Sequence, residues 1–499
     1  MAGNRYTVRD LDELCRDRSF DVIVVGGGGS GAATAIEATE RGCSVLVLEK
    51  MDTPGGSTQE SGGSLRLVTD QEGTSAHYCA LTQGTTPKDV IDAFVDGLVA
   101  MPDWVRAHGG ELVAYDPVED SVFPARRPGT AFPDVPFADR LGPRARMRPS
   151  TPDRPRGAAL WDFLDRNLTS LGVTVVTGAR VTELVEDPAT RAVLGARVGS
   201  TTIRSGAVVL CCGGFNYDQE LQRQYLGVAL PALSPPGRNT GDGIRMAQQV
   251  GADLWHMGAA AATVGYKFPE YEAGFWCQMP DYGFVMVDQR AHRFFCETDI
   301  ENHAAILAML AQDPMSGAYL RVPSFVVFDD VTRRAGRLAT LKTGENRHFP
   351  WSEDNSAEIE RGWLHRADSL AELAAILGLP ADELTSTVDD FNRCARAGTP
   401  DATGRAPDRL RAIDVPPFYG AQVQPTLVNT QGGPRRDRTA AILRPDGSVI
   451  PGLFGAGELG SIWNRLYPGA GNVCECLVFG RIAGESAAAT VRSLREGVR

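Results

Sequence analysis

DVIVVGGGGSGAATAIEATERGCSVLVLEK, residues 21–50, decides the fold. Val22 to Val25 is a short unbroken apolar run, the pattern of a strand buried on both faces, and Ser44 to Leu48 is a second. Between them lie a glycine turn and an alanine-rich helical stretch, so the segment reads as a βαβ unit. Gly26, Gly28 and Gly31 stand in G-x-G-x-x-G register in its turn. Gly26 permits the tight turn, Gly28 lets backbone amides approach a pyrophosphate at the helix N-terminus, and Gly31 lets helix and strand pack closely. Glu49 ends the second strand, where a carboxylate accepts hydrogen bonds from a ribose diol. The unit predicts an α/β domain that holds a dinucleotide.

Outward from this unit, GGSTQESGGSLRL (55–67) carries four more glycines between small polar residues and reads as a loop closing on a flat ligand. Residues 124–157 are rich in proline and arginine and read as an irregular surface excursion, either a lid or subunit contact or a solvated loop. Regular α/β patterning resumes with a helix near 158–171 and strands near 173–177, 180–185, 193–198 and 207–211. In GRNTGDGIRMAQQVGA (237–252), Asp242 is placed to cap a helix ending at Gly251. From about His256 the pattern changes to short strands and helices, one of them expected at 302–311. After Pro407 the glycines return, ending in LYPGAGNVCECLVFGRIAGESAAA with a helix opened by Gly471 and Asn472. A nucleotide domain of residues 1–255 and 411–499 is therefore expected around an inserted cap of residues 256–410.

Composition narrows the function. The 499 residues are 43% apolar and 22% charged, with no apolar run of about 18 residues that could span a bilayer. A net charge of −12 argues against a nucleic-acid partner. The first twenty residues lack an apolar secretory segment, which predicts a cytoplasmic protein, and the ten cysteines form no metal-binding spacing and read as reduced.

Five motifs together resemble a known family: GGGGSG with Glu49, GGST…SGG, CCGGF (211–215), GDGIRMA (241–247) and GLFGAGE…LVFGRIAG (452–484). They look like the flavoproteins related to soluble fumarate reductase and 3-ketosteroid dehydrogenase, nearer the latter. The resemblance implies a discontinuous Rossmann-like FAD-binding domain with an inserted α+β capping domain. It implies that Gly26, Gly28, Gly31 and Glu49 hold the ADP half of FAD, with Ser30, Lys50, Gly56, Ser57, Val181, Gly213 and Asp242 alongside. Thr58, Gly62 and Gly63 would approach the isoalloxazine, Gly457 and Glu458 the ribityl side, and Gly471, Asn472 and Val473 the flavin pyrimidine. Relatives with covalent FAD carry a histidine after the glycine loop. Residues 50–76 contain none, so FAD is expected to be non-covalent.

The resemblance also suggests chemistry. RLYPGAG (465–471) matches the 3-ketosteroid dehydrogenase pattern, in which the tyrosine and the final glycine N–H hold the substrate carbonyl oxygen; here these are Tyr467 and Gly471. Such donors stabilise the enolate formed when the α proton leaves. The family's proton-transfer position after the RFxxE motif is occupied by Glu301 in RFFCETDIEN (293–302), and Arg465 matches a fumarate-type substrate arginine. The fumarate-type HTxGG motif reads VNTQGG, with Asn429 in place of histidine. The expected function is desaturation of a cyclic, steroid-like ketone with hydride transfer to flavin. The alternative is fumarate-reductase-like reduction of an activated alkene. A structural role is the competing reading for each catalytic candidate: Tyr467 as a core aromatic, Glu301 as an acid at a helix start, Arg465 as the partner of an acid. His292 and His303 are read as surface residues.

Overall fold

The computed structural model describes residues 4–115 and 132–497. Its main sheet contains β1 (Arg5–Thr7), β2 (Val22–Val25), β3 (Val45–Leu48), β4 (Thr174–Thr177), β5 (Ala207–Leu210), β6 (Ala441–Leu443) and β7 (Val449–Gly455). The spatial order is β1-β4-β3-β2-β5-β7-β6, parallel throughout except for the final antiparallel pair. Alternate residues of β2 and β3 enter two separate cores. Val22, Val24, Val45 and Val47 pack on one face, and Ile23, Val25, Leu46 and Leu48 on the other. A sheet covered on both faces has no place for polar alternation, which is why these strands are unbroken apolar runs.

The two ends of the chain meet on this sheet. Helix α1 (Gly29–Glu40) packs along α2 (Gly471–Gly497). Thr34 Oγ1 donates to the Gly480 carbonyl at 2.9 Å, and a Cβ on Gly484 would lie 2.5 Å from the Thr34 carbonyl oxygen. Small residues on both helices allow this approach, so the glycine-rich ends of the sequence pack against each other.

The second large sheet is antiparallel and runs Phe275–Trp276, Ala260–Tyr266, Phe418–Thr430, Ser324–Asp329 and Phe284–Val287, with His365–Ala367 also paired to Phe418–Thr430. Strand Phe418–Thr430 lies beyond the expected cap boundary at residue 410, yet is hydrogen-bonded on both sides into this sheet. Among the described residues, no helix is long and apolar enough to cross a membrane.

Three local expectations are corrected. The 55–67 stretch is a 3-10 turn, Gly56–Glu60, followed by strand Ser64–Arg66. That strand pairs with Arg144–Met147, inside the stretch expected to be irregular; residues 124–131 of that stretch lie outside the described residues. The helix expected over 302–311 is only Ala305–Met309.

Candidate active site

The turn between β2 and α1 opens onto a cleft. The glycine at 26 is obligatory: φ is +106°, and a Cβ would stand 2.4 Å from the Cys211 carbonyl oxygen. At Gly31 a Cβ would lie 1.9 Å from the Gly26 oxygen, the close helix–strand packing expected of the third glycine. Glu49 is fixed by two backbone amides, Gly27 at 2.7 Å and Met51 at 2.8 Å.

Gly26, Gly28, Ser30, Glu49, Lys50, Gly56, Ser57, Thr58, Val181, Gly213, Asp242, Glu458, Asn472 and Val473 all line this one cleft. Gly31, Gly62, Gly63, Gly457 and Gly471 are not among its lining residues. Gly63 is pressed on the backbone of Arg156 and Gly471 on the Trp463 indole. Asp242 does not cap its helix: Gly241 occupies the cap position, and no side-chain cap bond is formed. Its carboxylate instead receives Arg180 at 2.7 Å and Lys50 at 3.2 Å. Burial acts to raise its pKa, and the two cations outweigh burial and lower it.

Sequence reasoning missed Arg180, Arg238 and Asn239, which also line the cleft. Arg238 donates from Nη1 to the Gly56 carbonyl at 2.7 Å, while its buried Nε has no partner. An orphaned guanidinium N–H beside a helix N-terminus fits a diphosphate, so the residues present suit FAD. The signal was available in GRNTGDG, where an arginine sits between glycines just before a helix.

Of two neighbouring carboxylates here, Glu475 is buried and Glu458 is partly buried. Glu475 is satisfied, accepting from Ser461 Oγ at 2.6 Å and Ile462 N at 2.8 Å and pairing with Arg436. Glu458 lines the cleft, and burial together with the nearby Glu475 charge pushes its pKa up to about 8.

The catalytic candidates gather beside the first turn of α2. Tyr467 is buried, and its hydroxyl accepts from Asn472 N at 3.3 Å. Burial raises the phenol pKa well above its ordinary value. Glu301 accepts from His303 N at 2.6 Å on Oε2 and lies 3.0 Å from His303 Nδ1 through Oε1. The His303 ring meets Tyr467 edge-on, with centroids 5.0 Å apart at 87°. A Cβ on Gly469 would stand 3.7 Å from His303 Cε1, 3.7 Å from Arg144 Nη1 and 3.8 Å from Glu301 Oε1, so the loop before α2 touches all three groups. Ala470 adopts φ +63°, a strained left-handed conformation for alanine.

Glu301 thus precedes the short helix and engages His303 rather than a helix N-terminus. The surface reading holds for His292, which is exposed beside Glu383 at 3.4 Å. It fails for His303, which is largely buried between Glu301 and Tyr467 because the cap folds onto the loop before α2. Arg465 is exposed and has no ion-pair partner among the described residues. Asn429 is buried and donates to the Thr430 carbonyl at 3.2 Å.

The sequence matches the FAD binding domain family over residues 21–473. It is similar to the 3-oxosteroid 1-dehydrogenase of Mycolicibacterium smegmatis, 28% identical over 96% of this chain and 99% of that enzyme. It is also similar to the urocanate reductase of Eggerthella lenta, 27% identical over 94% of this chain and 74% of that protein. In fold it resembles the 3-ketosteroid Δ1-dehydrogenase of Sterolibacterium denitrificans, with a TM-score of 0.81 at 22% identity, covering 94% of this chain and 99% of that one. The chain therefore belongs to the FAD binding domain family and is an FAD-dependent oxidoreductase acting on CH–CH groups.

Proposed function

We propose that this protein desaturates a cyclic ketone at the carbon–carbon bond next to the carbonyl. One observation carries the reading: a buried tyrosine hydroxyl and the first turn of α2 stand directly across a ring contact from a carboxylate–imidazole pair. That arrangement puts oxyanion donors and proton-accepting groups within one substrate's reach.

In this reading the N-terminus of α1, Glu49 and Arg238 hold the ADP half of FAD, Thr58 borders the ring system, and Glu458 meets the ribityl chain. When bound, FAD supplies a two-electron acceptor for the β hydride. Tyr467 Oη and the Gly471 N–H hold the ketone oxygen and stabilise the negative charge that builds on it as the α proton leaves. The proton passes to the Glu301–His303 pair. Buried walls around Tyr467 exclude water, which strengthens these hydrogen bonds. Arg465, exposed on the same loop, contacts substrate only at the mouth of the site. The cap in this reading comprises residues 256–430, because Phe418–Thr430 pairs with cap strands.

Run backwards, the same groups would protonate and reduce an enone, and the similarity to a urocanate reductase supports that second direction. The test is anaerobic mixing of the oxidised holoenzyme with a panel of cyclic ketones and with succinate. Flavin bleaching by a ketone and not by succinate is the expected result; bleaching by succinate alone would overturn the reading. Tyr467→Phe should retain FAD and lose about 10²–10³-fold in the rate of bleaching, the cost of one oxyanion donor.

A further inference from the structure

Resting on the ketone reading above, the geometry points to His303 Nε2 as the atom that accepts the α proton, with Glu301 as the residue that positions it. Both oxygens of Glu301 already face His303: Oε2 receives the backbone N–H at 2.6 Å, and the ring Nδ1 lies 3.0 Å from Oε1 and 3.2 Å from Oε2. A carboxylate beside Nδ1 holds the hydrogen on that nitrogen and leaves the lone pair on the other. Nε2 has no hydrogen-bond partner among the described residues, and the side chain keeps 18% of its surface exposed. The imidazole is thus the member of the pair with an open acceptor.

The groups facing the ring support the assignment. Glu301 stabilises an imidazolium directly. Tyr467 stands edge-on at 5.0 Å, the Trp276 ring lies at 6.0 Å, and Arg144 reaches the same loop beside Gly469. The Cα–H bond breaks and an N–H bond forms at Nε2, while the bonding pair moves toward the ketone oxygen held by Tyr467 and Gly471. Collapse of that enolate re-forms the carbonyl as the β hydride passes to oxidised flavin, leaving Cα=Cβ, and the proton departs from Nε2 to solvent.

The experiment uses the FAD-loaded protein and the cyclic ketone that bleaches it, following both bleaching and deuterium exchange at the α carbon. His303→Ala is expected to retain FAD, lose about 10³-fold in both rates and recover at least about tenfold when imidazole is added. Glu301→Ala, which leaves the imidazole in place, should lose less. The assignment is overturned if His303→Ala keeps more than about a tenth of the rate, or if Glu301→Ala is the more damaging change. If no ketone bleaches the wild-type flavin, the ketone reading falls, and the base assignment is then judged by ¹⁵N NMR of the holoenzyme, with His303→Ala identifying the signal. A neutral His303 protonated on Nδ1 supports it, and one protonated on Nε2 refutes it.

Discussion

The surroundings of Glu297 and those of Glu301 are four residues apart in the cap and are built on opposite rules. Glu297 is wholly enclosed, accepting from Met286 N at 3.0 Å and Arg293 Nε at 2.9 Å, with Arg405 Nη1 at 3.7 Å. The other N–H groups of Arg405 end on the carbonyls of Tyr282, Phe284 and Arg409. That network closes on itself, and Arg293 spans it to Asp401 at 2.6 Å. Glu301 engages an imidazole that still has an open nitrogen. A closed network of charges makes architecture, whereas a chain of polar contacts that stops short leaves an atom for chemistry.

The largest effect is expected on the closed side. Glu297→Ala leaves Arg293 and Arg405 without their shared carboxylate and should cost about 3–5 kcal/mol, read as a lower denaturation midpoint. A cost under about 1 kcal/mol would mean that the network is ornamental. On the open side, Arg238→Gln removes the guanidinium and its unpartnered Nε from the cleft and should weaken FAD binding by about 10–100-fold, measured by titrating the FAD-free protein; a charged hydrogen bond is worth about that much. Fully retained affinity would separate Arg238 from the diphosphate.

Glu458 provides a pH test on the same side. Its pKa in the folded, FAD-free chain is raised to about 8, so the native state holds a proton that the unfolded chain releases in the ordinary carboxyl range. The stabilisation is complete at acid pH and is lost as pH rises through that window. The melting temperature of the FAD-free wild type should therefore fall relative to Glu458→Gln between pH 5 and pH 8, and parallel curves would refute the shift. The smallest effect is expected at Ala470, whose left-handed φ of +63° is costly for alanine. Ala470→Gly should stabilise the fold by about 0.5–1 kcal/mol after glycine's own entropy cost, seen as a slightly higher midpoint.

Much of the cleft's lining was readable because its rules are local. The backbone turn at Gly26, the close packing at Gly31 and the acid at Glu49 are spaced by the geometry of one βαβ unit. Strand Phe418–Thr430 was hidden because Gly420 and Pro425 punctuate it, although Pro425 sits opposite Val264 within the pairing. Asp242 was misread as a cap because its real partners, Lys50 and Arg180, are distant in sequence.

By itself the sequence determined a dinucleotide-type βαβ unit, since apolar periodicity and glycine spacing express contacts between near neighbours. Only the tertiary structure joined His303 to Tyr467, 164 positions apart, and separated the closed carboxylate Glu297 from the open-ended one at Glu301. Both carboxylates lie in one eleven-residue segment, 293–303, of similar chemistry. Their difference arises from what the folded cap brings against each side chain, and a linear pattern carries no record of that.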